Sequence, residues 1–503
     1  MPTVDLLVIG GGIHGAAVAR DAALRGLSVV LAEKDDLASG TSSRSSKLIH
    51  GGLRYLETWQ FGLVKEALQE RAILLDTAPH YVMPLPFVLP FYKGDSRPGW
   101  VVRLGLSLYD TLAGTSALPR HHALKSDEAL DLEPDLPREG LQGAALFFDA
   151  QMDDARLVVA NAIAAAGAGA TVRTRTAVTA LEPFGEGRRP IWRAQVGSGG
   201  ETIEARVVVN AAGPWADSIR RLAGSPGPPA LRPTRGTHVV VPAITRERAL
   251  LLFARRDRRV IFVLPWGPWS LVGTTDTDDP EPPDAVSPRL EDVRYLWDEI
   301  AARWPDHPAA RDPAGQTVRV FAGLRPLVRA RSDRPWDNPR EARLLAERGL
   351  FSLVGGKYTT ARRLAERTVI RVVAHLGARV GPCVTRTARL PGPFDPPVLA
   401  ARAASAARAI ERTGTTPDLS RSDVDVAIDC EFARGVSDVL FRRSALWLDA
   451  GAARTAAPQV VDWMAERLGW SAAVRAAELS TVTDALDAEA ALLRAAANRE
   501  DAQ

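Results

Sequence analysis

The chain has 503 residues, a net charge of +3, and 46% hydrophobic against 24% charged side chains. At roughly 100–200 residues per domain this implies two or three domains with a large core, and excludes a peptide, a disulfide-held scaffold and a disordered chain. Two cysteines, Cys383 and Cys430, are too few for a metal–sulfur cage, so no metal is expected, and 57 arginines to 6 lysines without a basic, aromatic-laced arm exclude a nucleic-acid partner.

At the N-terminus no basic region precedes the first apolar run, and nowhere do about 18 apolar residues follow one another. The expectation is a chain without a secretory signal or a spanning helix, cytoplasmic or attached to a membrane from the cytoplasmic side. Residues 6–9 read as a buried parallel strand. GGGIHG follows, with Gly10, Gly12 and Gly15 in G-x-G-x-x-G spacing around Ile13 and His14, and an Ala-rich helix is predicted to about Gly26. A second apolar run at 27–32 ends on Glu33, 18 residues after Gly15, with Lys34 beside it.

Strand, tight turn, helix, strand and acid within about 30 residues form a dinucleotide-binding unit. The glycines let the backbone approach a pyrophosphate, the helix N-terminus offers N–H groups and partial positive charge, and the carboxylate accepts from ribose hydroxyls. FAD is favoured over NAD because the fingerprint opens the chain and a long remainder can supply scattered contacts. His14 is read as packing beside the turn.

Residues 40–57, GTSSRSSKLIHGGLRYLE, form a loop rich in hydroxyls and glycine. Thr41, Ser42, Ser43, Ser46, Lys47, Leu48, His50, Gly51 and Gly52 are its candidates for wrapping a pyrophosphate or a flavin ring. The stretch from Arg97 to Tyr109 mixes Trp, Tyr, Leu and Arg as an interfacial helix would. At 205–217, ARVVVNAAGPWAD, an apolar strand enters a small-residue turn with Ala212, Gly213 and Trp215, which suits a strand returning to the cofactor. The Pro-rich 276–288 is read as a surface loop and PGPFDPP at 391–397 as a linker. Beyond it SDVLFRRSALWLDAG, APQVVDWMAERLGW and AEAALLRAAANRED read as amphipathic helices.

GGGIHG together with GTSSRSSKLIHGGLRYLE resembles the FAD-dependent, quinone-linked glycerol-3-phosphate dehydrogenases, within the D-amino-acid-oxidase-like flavoproteins. The resemblance continues in the same order through MDDARLVVANA (152–162), VVNAAGPWAD (208–217), RGTHVVVP (235–242), FVLPWGPWSLVGTTD (262–276), FAGLRPL (321–327, with Gly323) and SLVGGKYTTARRLAE (352–366), and SDVLFRRSALWL (437–448) resembles that family's helical cap. It implies an α/β fold: a Rossmann-type FAD-binding domain (1–60, 150–220 and 350–390) interleaved with an α+β substrate domain of mostly antiparallel sheet (61–149 and 221–349), plus an all-helical C-terminal cap (398–503).

The implied reaction takes a hydride from C2 of sn-glycerol 3-phosphate to FAD, giving dihydroxyacetone phosphate, with electrons passed to membrane quinone by a peripherally bound enzyme. A homodimer is left open. Arg325, Arg340, Arg54 and Tyr55 are the implied phosphate clamp, since a guanidinium meets two phosphate oxygens at once. His238 is the implied substrate-site histidine, with His50 its competitor as base. Gly356, Lys357, Tyr358 and Thr359 precede a helix over 361–376 that Thr359 or Thr360 can cap, with its N-terminus facing the pyrimidine end of the reduced ring. A flavin oxidase using oxygen and a flavin-holding regulatory protein are the competing readings.

Overall fold

Val4–Ile9 is buried over its last four residues, as a strand covered on both faces must be, and it sits in the middle of a parallel array. Val29–Ala32 and Glu201–Asn210 flank it, Thr171–Arg173 lies outside the first and Leu350–Val354 outside the second, and all these neighbours pair in parallel. Arg343–Glu347 closes one edge antiparallel, and the Val178–Phe184/Ile191–Val196 hairpin continues from Glu201–Asn210. Helices Ile13–Leu24, Asp154–Gly167 and Ala361–Leu376 pack on one face of this sheet, where alanines such as Ala16, Ala19 and Ala162 let them approach closely. This computed structural model describes residues 3–498 apart from 58, 96, 115–117, 186–189, 198, 226, 330–341 and 393–418.

A second sheet, with ten strands among the described residues, is antiparallel except where Ala249–Phe253 runs parallel to Val82–Tyr92. Its long partners are Leu231–Pro242 with Arg319–Val328, which sets His238 opposite Phe321 and Thr234 opposite Arg325, and Val82–Tyr92 with Leu141–Met152. Leu48–Ile49 also pairs with Leu141–Met152, so the loop that leaves the first sheet after Glu33 ends in the second. That one connection brings the nucleotide turn and the antiparallel sheet to opposite sides of a cleft.

The C-terminal region packs Arg421–Asp429, Ala450–Leu468 and part of Ala472–Ala497 around their own apolar core. The expected α/β architecture with a helical C-terminus is present, but SDVLFRRSALWL is not one amphipathic helix. It breaks into Val436–Asp438, a π-turn at Val439–Arg443, an extended Ser444 and a 3-10 turn at Ala445–Leu448. Consecutive residues of an α-helix diverge by about 100°, whereas Arg442 and Arg443 both reach the one carboxylate of Asp36. The π-turn at Val439–Arg443 is what lets both arginines meet that buried acid. The expected linker lies mostly, and Arg340 wholly, outside the described residues. Among the described residues no helix is long and apolar enough to cross a membrane.

Candidate active site

A cavity of about 1850 Å³ lies between the two sheets. A drug-sized ligand occupies roughly 300–1,000 Å³, so the space suits a dinucleotide with a small substrate beside it. One end is built by the glycine turn. Gly10 has φ +107°, a value side chains rarely adopt, and a Cβ there would stand 2.7 Å from the Ala211 carbonyl oxygen. A Cβ on Gly15 would lie 1.8 Å from the Gly10 carbonyl oxygen, so Gly15 serves helix–turn packing and is absent from the cavity wall.

Glu33 is oriented before any ligand arrives: Oε2 accepts from the Gly11 amide at 2.5 Å and Oε1 from the Asp35 amide at 2.8 Å. Burial raises its pKa against the pull of those amides. Ser42 Oγ accepts from the Ile13 amide at 3.0 Å, tying the polar loop to the helix N-terminus. Ala212, Gly213 and Trp215 close this end, with Lys34 Nζ 4.3 Å above the Trp215 ring. Asp284, from the Pro-rich loop read as featureless, takes both Lys34 and the Trp215 indole N–H. Only the tertiary fold brings it there.

At the other end Arg325 Nη1 donates to Asp276 at 3.0 Å, and Nη2 to Thr274 Oγ1 at 2.7 Å and to the Thr275 carbonyl at 3.1 Å, while the side chain keeps a face on the cavity. Arg54, Tyr55, Lys357, His50 and Thr359 also line the cavity, and Lys357 Nζ stands 3.4 Å from the centre of the Tyr55 ring. Thr41, Ser46, Leu48, Gly52, Gly356 and Tyr358 also reach the wall. Thr360 occupies the N-cap position of Ala361–Leu376 without a side-chain cap, and the Thr359 hydroxyl instead accepts from the His50 amide at 3.2 Å. The capping expected of either threonine is therefore not made.

Several sequence candidates stand behind the wall. Lys47, 2% exposed, is paired with Asp154 at 2.5 Å and lies 4.0 Å from the Trp447 ring centre, so its charge is spent on structure. The Ser43 carbonyl accepts from Lys47 Nζ at 3.3 Å. A Cβ on Gly51 would press into Leu68 and Tyr109, and one on Gly323 would lie 2.7 Å from the Arg44 carbonyl oxygen, so both are packing glycines.

His238 is 2% exposed and stacked 5.1 Å from Phe321, and it meets the cavity through Ser46, whose Oγ is 2.9 Å from Nε2. Burial, then the nearby Arg325 and Lys47 charges, push it down to about 3. His50 lies on the wall itself, as does His14 at the glycine turn. Sequence reasoning missed Thr274, Asp276, Arg258 and Arg259 on the wall, and among 57 arginines composition could not have singled out the last two.

The residues fit a flavin dinucleotide. The turn excludes Cβ atoms, Glu33 faces the cavity with its orientation fixed, and His14 Nε2 is buried on the wall without a hydrogen-bond partner and with its pKa pushed down to about 4 by burial. Fold and glycine turn together define a dinucleotide-binding protein with a large adjoining cavity. Residues 5–368 match the FAD dependent oxidoreductase family and residues 352–475 the C-terminal domain of alpha-glycerophosphate oxidase. The chain belongs to this FAD-dependent oxidoreductase family, and its cofactor is FAD.

It is 42% identical to D-erythritol 1-phosphate dehydrogenase of Brucella abortus, over 78% of this chain and 77% of that one. With the aerobic glycerol-3-phosphate dehydrogenase of Escherichia coli the identity is 35%, over 93% and 99%. The structure of the glycerol-3-phosphate dehydrogenase from Bacillus halodurans complexed with FAD superposes with a TM-score of 0.75 at 26% identity, covering 98% and 95%.

Proposed function

We propose that the chain oxidises sn-glycerol 3-phosphate at C2 to dihydroxyacetone phosphate and passes the electrons to a membrane quinone. The observation that carries the reading is that Arg325, Arg54, Lys357 and Tyr55 line the same cavity as a glycine turn built for a dinucleotide, with Lys357 Nζ 3.4 Å from the centre of the Tyr55 ring. Bound FAD supplies the hydride acceptor and the outlet for two electrons. Arg325, steadied by Asp276 and Thr274, reaches the cavity wall with a guanidinium suited to phosphate, and Arg54 on the same wall joins it in the clamp. The hydroxyl proton leaves to a histidine, either His50 on the wall or His238 by way of Ser46. Lys357 and the N-terminus of Ala361–Leu376 stabilise negative charge at the reacting end.

Contact with the cytoplasmic face of a membrane is supported by helix Gly99–Ala113. It buries Val102, Leu106 and Tyr109 while exposing Trp100 (63%) and Leu104 (65%), and Leu104 lines the cavity together with exposed Trp59 (79%) and with Arg97, Arg258 and Arg259. The 42% identity to an erythritol phosphate dehydrogenase supports a second reading, a four-carbon polyol phosphate as substrate.

Anaerobic addition of each polyol phosphate to the purified holoprotein, followed by quinone or oxygen, tests both. Bleaching of the flavin by glycerol phosphate and reoxidation by quinone are expected. Bleaching by erythritol phosphate alone would select the second reading, and rapid reoxidation by oxygen with stoichiometric peroxide would select an oxidase.

A further inference from the structure

The C-terminal helical region contributes no residue to the cavity wall among the described residues, yet it is tied to the Glu33 end by an ionic network that is buried except at Arg175, 41% exposed. Asp36, fully buried, accepts from Arg442 Nε at 2.5 Å, and from Arg443 Nη1 and Nη2 at 3.0 and 2.8 Å. Arg443 Nη2 also donates to the Glu431 carbonyl at 2.7 Å, and the Glu431 carboxylate is gripped by both Nη atoms of Arg156 at 2.6 Å. Asp438, likewise fully buried, takes Arg442 Nη2 at 2.6 Å and Arg175 Nη2 at 2.7 Å.

Two loops on the cavity are held by these ties. On one side Asp36 leads into Leu37 and Ala38, and both touch the glycine turn. The Ala38 amide donates to the Gly11 carbonyl at 3.0 Å, and Leu37 Cδ2 would lie 2.9 Å from a Cβ on Gly11. Gly11 in turn donates to Glu33. On the other side the Arg175 and Thr176 amides donate to the carbonyls of Asp35 (2.8 Å) and Glu33 (2.7 Å), and Thr176, Ala177 and Val178 line the cavity.

Gly435 lets Arg175 through, since a Cβ there would stand 2.5 Å from its Nη2. Burying this many charges carries a desolvation penalty that apolar packing would avoid, and what such a network supplies in return is fixed geometry. Here the geometry is that of the two loops bracketing Glu33.

We propose that residues 431–443 form a lock on the cofactor site: through Asp36 and Arg175 they fix the loops flanking Glu33 and so set the affinity for FAD without touching it. Asp36, Arg442 and Arg443 are then positioning residues, and the helical region earns a function that its distance from the cavity conceals. Coupling of this kind is reciprocal, so FAD must also tighten the lock.

The test compares wild type with Arg443→Lys, which keeps the charge and loses the two-pronged grip. Titration of the apoprotein with FAD, followed by flavin fluorescence, should show the dissociation constant raised about tenfold or more, a loss of about 1.4 kcal/mol. The melting temperature of the apoprotein should stay close to wild type while the gain on adding FAD shrinks. Equal falls in the apo and FAD-bound melting temperatures with an unchanged dissociation constant would overturn the proposal, since the network would then serve the fold alone.

Amide hydrogen exchange on the wild-type chain needs no variant. FAD should slow exchange at residues 434–446 as well as at 35–38, and unchanged exchange at 434–446 would equally overturn it.

Discussion

The two ends of the cavity are built in different ways. The Glu33 end comes largely from one stretch of chain, in which the turn, the helix and the acid fall within residues 4–33 and backbone amides hold the carboxylate. The proposed substrate end draws His50, Arg54 and Tyr55 from one loop, Thr274 and Asp276 from a second, Arg325 from a strand and Lys357 from a helix approach. A cofactor common to many enzymes is held by a compact local device. The proposed substrate end is assembled across the fold and can change one residue at a time.

If the ends are separable, substitutions should affect them separately. Gly15→Ala should have the largest effect. With a Cβ 1.8 Å from the Gly10 carbonyl oxygen, the turn must open, and the purified protein should carry no flavin absorbance. Normal flavin content would show that the turn yields more easily than its packing implies. Arg325→Ala should next cut kcat/KM by roughly 10- to 100-fold, the 1.5–3 kcal/mol of hydrogen bonds to a charged group, with FAD retained. Loss of flavin from that variant would join the two ends.

Glu33→Gln should weaken FAD by about 10- to 100-fold, the 1.5–3 kcal/mol of a charged hydrogen bond, while leaving KM for the polyol phosphate unchanged once FAD is saturating. Equilibrium titration and steady-state kinetics on one preparation check both halves.

The effect that vanishes at neutrality and grows only in acid concerns His238. His238, pushed down to about 3, stays neutral in the fold while its counterpart in the unfolded chain protonates below about 6.5. Stability is therefore full above about pH 6.5 and falls as pH drops towards 3, by up to about 1.4 kcal/mol per pH unit for this one group. His238→Gln should flatten the fall of melting temperature over that window, and an unchanged slope would show that the ring is solvated.

Legibility in the sequence followed the same division. The Gly10–Glu33 unit and the helix after GGKYTT could be read directly, because short-range spacing dictates both. Lys47 could not, since in a hydroxyl-rich loop it resembles a ligand cation, and only the pairing of Leu48–Ile49 with Leu141–Met152 brings it against Asp154. Thr274 and Asp276 lay inside a segment that carried the resemblance but were not singled out, and Asp284 carried no local signal, for their roles depend on strands and loops that meet only in three dimensions. The break at Arg442–Arg443 was hidden for a related reason. Its partner, Asp36, is about 400 residues away in a loop that periodicity treats as featureless.

The central claim is hydride transfer from C2 of sn-glycerol 3-phosphate within this cavity. Anaerobic stopped-flow bleaching of the holoprotein flavin with glycerol phosphate deuterated at C2, beside material deuterated at C1 and C3, tests it directly. Slower bleaching with deuterium at C2 and unchanged bleaching with the other label are predicted. Absence of bleaching, or slowing by the C1 and C3 label alone, would contradict it.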